Sequence, residues 1–157
     1  MSLSEIAALS VAEYAAKDAR LWFWITGPFL AAGAHIAIMR AWGFEPAAVA
    51  FVWVKPGENH FGFKRWVGQG LFPMGTGYTT RQNAEYVILG NRGAPRSRKS
   101  KQVRQILIEP AREHSRKPDQ FYESVERYAD GPYLELFARK KRPGWTCRGN
   151  EVGRFYD

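Results

Sequence analysis

The amino-acid sequence predicts an α/β protein built on a mostly parallel sheet. Leu21-Trp22-Phe23-Trp24-Ile25 and Ala50 to Val54 are short unbroken apolar runs, the pattern of strands buried on both faces. Between them Phe29 to Trp42 has the length and apolar character of a helix, so strand, helix and strand form a right-handed crossover unit. A chain of 157 residues, 45% hydrophobic and 15% aromatic, is long enough for one domain over residues 1–157 with a real core.

The elements follow in order. Ser2 or Ser4 caps a first helix, with Glu5 in its first turn and Ile6 and Leu9 as its apolar positions. After the Leu21 strand, Pro28 sits where the first turn of a helix tolerates proline, and Gly43 closes that helix. The Ala50 strand ends at Lys55-Pro56-Gly57. From Gly57 to Thr80 six glycines break any period, so residues 57–80 read as a flexible loop. Tyr86 to Leu89 is a third strand. Residues 92–102 form a second, basic flexible loop, and Val103 to Ile108 is a fourth strand. Pro118 opens a helix with Phe121, Tyr122, Val125 and Tyr128 at helical spacing, stopped by Asp130-Gly131-Pro132. Tyr133 to Phe137 is a fifth strand, and the tail from Arg139 reads as irregular.

Net charge is +8, a balance that suits a polyanion such as nucleic acid, although solubility alone accounts for it equally well. Cys147 is the only cysteine, which excludes an internal disulfide and a cysteine-rich zinc site. No stretch has the form of a signal peptide, and the apolar segment Leu21 to Trp42 carries Gly27-Pro28, Gly33, His35 and Arg40, so a cytoplasmic protein without a membrane span is expected. There is no nucleophile elbow, phosphate loop or zinc-protease helix. His35, His60 and His114 are far apart in sequence, and no metal site is expected.

The polar strand ends carry the chemistry, because ligands of open parallel sheets sit beyond the carboxyl ends of strands. The fourth strand runs into Glu109-Pro110-Ala111-Arg112-Glu113-His114-Ser115-Arg116-Lys117-Pro118, the fifth carries Glu135 and leads to Arg139, and the tail presents Asn150-Glu151. A carboxylate can accept ribose hydroxyls, an amide can read a purine edge, and a cation can pair with a carboxylate. Such a set could hold a nucleoside with an amino-acid tail.

These segments stand in one order and spacing: Gly75-Thr76-Gly77-Tyr78, Asn83-Ala84-Glu85, Glu113 to Asp119, Leu134 to Arg139, Pro143-Gly144-Trp145 and Gly149-Asn150-Glu151. Over essentially the whole chain this resembles the family named for the seventy-kilodalton MT-A subunit of the messenger-RNA adenine methyltransferase, and most closely its bacterial and phage members. The resemblance implies a Rossmann-like fold, S-adenosylmethionine as methyl donor, and the 6-amino group of adenine in DNA, less so RNA, as substrate. It implies catalytic roles for Glu85 and Lys117. It implies donor contacts from Lys117, Glu135, Arg139, Asn150 and Glu151. Lys64, Arg65, Arg96, Arg98, Lys99 and Lys101 are expected to meet nucleic-acid phosphates.

Two departures accompany the resemblance. Lys141 and Arg142 stand where the messenger-RNA enzyme has His and Asn. The family's hallmark Asp-Pro-Pro-Trp, which holds the adenine amino group in line with the methyl, lies upstream of the first helix in relatives, and no Asp-Pro-Pro occurs here. A chain truncated at its front, beginning at an internal start codon of a longer gene, is therefore expected first, and a partner subunit or second copy that supplies the acceptor last. A catalytically inactive nucleic-acid-binding or scaffold relative is the alternative.

Overall fold

A computed structural model describes residues 1–57, 72, 75, 77 and 79–155. Its element order is α1 (Leu3–Ala7), α2 (Val11–Tyr14), β1 (Ala19–Ile25), α3 (Gly27–Ala31), α4 (Ala34–Ala41), β2 (Glu45–Val54), β3 (Ala84–Arg92), β4 (Ile106–Ile108), α5 (Asp119–Tyr128), β5 (Tyr133–Leu136) and β6 (Trp145–Arg148).

The α/β class holds, but the main sheet is mixed instead of mostly parallel. Four strands lie in the order β1-β3-β2-β4. β3 runs antiparallel to both β1 and β2, and β4 runs parallel to β2. β1 and β2 therefore point the same way, as the crossover unit requires, with β3 inserted between them. A strand that enters from the far end of its neighbours is antiparallel whatever its composition, so the apolar runs could not reveal this. β5 and β6 form a separate parallel pair.

Local chemistry accounts for the other differences. The expected single helix over Phe29 to Trp42 is two, because Gly33 adopts a left-handed conformation (φ 68°) and caps α4. β2 begins at Glu45, five residues earlier than its apolar run. Pro46 and two register shifts sit in that first half, where the pleat is irregular. β6 falls in the tail read as irregular. Its alternation of half-buried Trp145 and Cys147 with exposed Thr146 and Arg148 is a short period-two signal. At the amino end, Ser2 and Glu5 form a capping box on α1.

The sheet is covered on both faces. Ile25, Ile38, Met39, Trp42, Phe44 and Ile88 pack with Val11 on one side, under α4. Phe51, Trp53, Val87 and Leu107 pack with Phe121, Tyr122 and Val125 of α5 on the other. Among the described residues no helix is long and apolar enough to cross a membrane.

Candidate functional site

The register places four chain segments at one end of the main sheet. Ile25 pairs with Tyr86, and Val54 pairs with both Ala84 and Ile108. The carboxyl ends of β1, β2 and β4 thus meet the first residues of β3. Glu85 sits there, on β3, and both its oxygens are taken. Lys55, the residue after β2, reaches Oε1 at 2.5 Å, and Lys117 reaches Oε2 at 2.5 Å. All three side chains are about one-fifth exposed. Burial pushes the Glu85 carboxyl up, but Lys117 and Lys55 together outweigh it and hold the group below the usual glutamate value of 4.5.

Two tryptophans lie under the lysines. Lys117 Nζ stands 4.6 Å from the Trp24 ring centre and Lys55 Nζ 4.4 Å from that of Trp53. The rings meet edge to face with centres 6.0 Å apart. Each cation thus has a carboxylate on one side and an aromatic face on another. The cluster carries two positive charges against one negative, so it favours one more anionic group.

Lys117 is delivered by the loop between β4 and α5. Glu109 anchors that loop by accepting the backbone N–H groups of Asp119 at 3.1 Å and Gln120 at 3.2 Å, the unpaired donors at the start of α5. Trp53 Nε1 donates to the Glu109 carbonyl at 2.7 Å. Ser115, at φ 67°, turns the chain through a left-handed conformation two residues before Lys117.

The other predicted donor-site residues flank the same loop. Glu135 on β5 is half-buried and accepts the Tyr122 hydroxyl at 2.8 Å. Burial pushes its carboxyl above 4.5, with Tyr122 and Arg142 offsetting this in part. Burial and Glu135 in turn push the Tyr122 phenol up. The Arg142 guanidinium lies 3.8 Å from the Tyr122 ring centre and pairs with Asp119, two residues after Lys117. Arg112 holds the same Asp119 at 2.8 Å. Arg139 donates to the His114 carbonyl at 3.0 Å and pairs with Glu151 at 2.8 Å. Arg154 takes that carboxylate at 2.5 Å, and Asn150 is exposed beside it. Lys117 and Arg139 thus hang on one loop, and the pairing of Asp119, Arg142, Tyr122 and Glu135 leads from that loop to β5.

The basic loop is not part of this constellation. It follows Arg92, which pairs with Ala19 at the start of β1, so it leaves the opposite end of the sheet. Seven strand steps separate Glu85 from Arg92, about 23 Å at the usual rise. Arg96, Arg98 and Lys101 are exposed there. Lys99 is tied to α5 and its end, pairing with Asp130 at 2.9 Å and donating to the Glu126 carbonyl at 3.2 Å. Lys64, Arg65 and most of the 57–80 loop lie outside the described residues.

Sequence reasoning missed Lys55, Tyr122 and the tryptophan pair. Lys55 read as the close of a strand, and Tyr122, Trp24 and Trp53 read as core. Apart from a lysine placed directly after a buried strand, nothing in the spacing marks them. Among the described residues no three His, Cys, Asp or Glu side chains gather as a metal site.

The chain is 31% identical over 154 residues to the type II methyltransferase M.MunI of Mycoplasma sp, covering 97% of this chain and 58% of that protein. It is 27% identical over 138 residues to the human N(6)-adenosine-methyltransferase catalytic subunit METTL3, covering 86% of this chain and 22% of that protein. Against the Drosophila melanogaster N(6)-adenosine-methyltransferase MT-A70-like protein, identity is 27% over 155 residues, or 97% and 24%. The chain therefore spans a little over half of the first relative and under a quarter of the other two. The sequence model of the MT-A70 family matches residues 1–151, nearly the full length. The chain belongs to the MT-A70 family.

Proposed function

We propose that this chain is the donor-binding part of an S-adenosylmethionine-dependent methyltransferase that acts on the 6-amino group of adenine in nucleic acid, DNA in preference to RNA. The observation that supports it best is the grouping of Glu85 and Lys117 at the carboxyl end of the sheet, with Glu135 and Arg139 around the same loop. The donor set suits the cofactor chemically. Tyr122 occupies one Glu135 oxygen and leaves the other for a ribose hydroxyl, and the Lys55–Glu85–Lys117 cluster has room in its charge balance for a carboxylate. When bound, S-adenosylmethionine supplies the methyl group. Glu135, with Asn150 and Glu151, holds the nucleoside end. Arg139 steadies Glu151 and the loop, and Lys117 meets the amino-acid end. Glu85 accepts a hydrogen from the adenine amino group. Arg96, Arg98, Lys99 and Lys101, with Lys64 and Arg65, take phosphates, and the adenine leaves the base stack.

Calorimetry of S-adenosylmethionine with the purified chain tests this reading. Micromolar binding that is lost in both Glu135→Ala and Asn150→Ala supports it, and no heat at millimolar donor sinks it. One observation favours a second reading, a nucleic-acid-binding scaffold without catalysis: both Glu85 oxygens are already held by lysines. A chain that binds oligonucleotides but not the donor fits that reading.

A further inference from the structure

We propose that Lys55 is a positioning residue of the donor site: it keeps Glu85 charged and in place when Lys117 turns to an anionic group of the ligand. The inference rests on the functional reading above and adds a residue to it.

The two lysines are alike in distance but not in how they are held. Lys55 follows β2 directly, and its backbone N–H donates to the Asn83 carbonyl at 2.9 Å, which locks it to the strand that carries Glu85. Its ammonium rests on Trp53, a ring 2% exposed and pinned by its own hydrogen bond to the Glu109 carbonyl. Lys117 rides on a loop, two residues after the left-handed Ser115, and its ammonium rests on the less deeply buried Trp24. Both ammonium groups move by side-chain rotation, but the Lys55 stem starts from a sheet end and rests on the deeply buried Trp53, while the Lys117 stem leaves an irregular segment.

The charges give that asymmetry a use. With no ligand, Glu85 is shared between two cations. An arriving carboxylate competes for one of them, and Lys117 is the one free to turn. Glu85 would then be a part-buried carboxylate deprived of one of its two cations, and burial alone drives such a group toward protonation. A protonated Glu85 has lost one acceptor and all its charge. Lys55 prevents this. Among the described residues the charged groups acting on Glu85 are Lys117 and Lys55, so losing Lys55 removes one of the two cations that hold it low.

The test is calorimetry of S-adenosylmethionine from pH 5 to pH 7.5 with wild type, Lys55→Met and Lys55→Arg, each first checked for native circular dichroism and melting. The donor's own carboxyl and amino groups do not change charge over most of that range. His114 lies on the same loop, is common to all three proteins and cancels in the comparison. Wild type and Lys55→Arg should vary less than about threefold across the range. In folded Lys55→Met, affinity should rise by more than about threefold toward pH 5, because donor binding then raises the Glu85 carboxyl and takes up a proton. A Lys55→Met profile parallel to wild type overturns the proposal and leaves the functional reading intact. A Lys55→Arg profile as steep as that of Lys55→Met also overturns it. Wild type that binds no donor at any pH removes the functional reading and this inference with it.

Discussion

Tyr122→Phe removes the hydroxyl that Glu135 accepts at 2.8 Å and leaves the ring against Trp145 and Phe121 in place. Glu135 already lies above its ordinary value because it is buried, so losing this donor moves it further up. The hydrogen bond to a charged group contributes about 2 kcal/mol. Donor affinity should therefore drop by an order of magnitude or more in Tyr122→Phe, and the drop should widen as pH falls and Glu135 gains its proton. Calorimetry at pH 6 and pH 8 reads both effects, and an equal loss at the two values would contradict the role given to Tyr122. Glu85 and Glu135 could be singled out from sequence because the segments that carry the resemblance hold them in order. Tyr122 was visible only as one apolar position in a helical stripe, since a stripe reports which face is buried and not which hydroxyl points at a carboxylate.

At the level of elements, the turn after β3 is set by Gly93 at φ 63°, packed against the Lys17 carbonyl and the Asp18 carboxylate. Asp18 accepts the next backbone N–H, that of Ala94, at 2.8 Å. A Cβ at position 93 would collide with both neighbours and force a left-handed alanine, so Gly93→Ala should cost about 2 kcal/mol or more in urea unfolding. Trp42→Phe should cost about 1 kcal/mol, because the indole donates to the Ile6 carbonyl at 3.1 Å and ties α1 to α4. A loss well below that would mean α1 frays freely from the fold. β1 to β5 and α5 could be read from apolar runs and helical spacing, whereas β6 could not. Nor could the break at Gly33, because a left-handed glycine inside an apolar stretch leaves the pattern of burial on either side unchanged. The direction of β3 was hidden for a related reason: burial records which residues face inward and is silent on which way the strand runs.

For the whole molecule, the acid limb of stability follows from the two part-buried carboxylates among the four held low in the described residues, since Glu5 and Glu113 are exposed. Glu85 is held down by Lys117 and Lys55, and Asp119 by Arg112 and Arg142, in each case against the upward push of burial. Their folded values lie under the ordinary 4.5 and 3.8, so the stability they contribute is present above those values and is lost as pH falls through the folded ones. Glu135 acts in the opposite sense, since a raised carboxyl favours the folded state at low pH and that benefit disappears as pH rises through its folded value. Unfolding by urea should therefore show stability falling below about pH 4.5, with the fall shallower in Glu85→Gln. That variant should also lose about 2 kcal/mol at pH 7, where it leaves two lysines facing no carboxylate. A wild-type slope retained in full by Glu85→Gln would move the acid sensitivity to Asp119.

The length of β3 turns the proposed substrate into something that can be counted. Glu85 and the basic loop stand at opposite ends of that strand, and about 23 Å of duplex is about 7 base pairs. An oligonucleotide shorter than this can present an adenine at one end of the sheet but cannot also lie under Arg96, Arg98 and Lys101. Binding should therefore strengthen in a step, not a slope, as duplexes are lengthened past that size, and the step should vanish when those three side chains are neutralised.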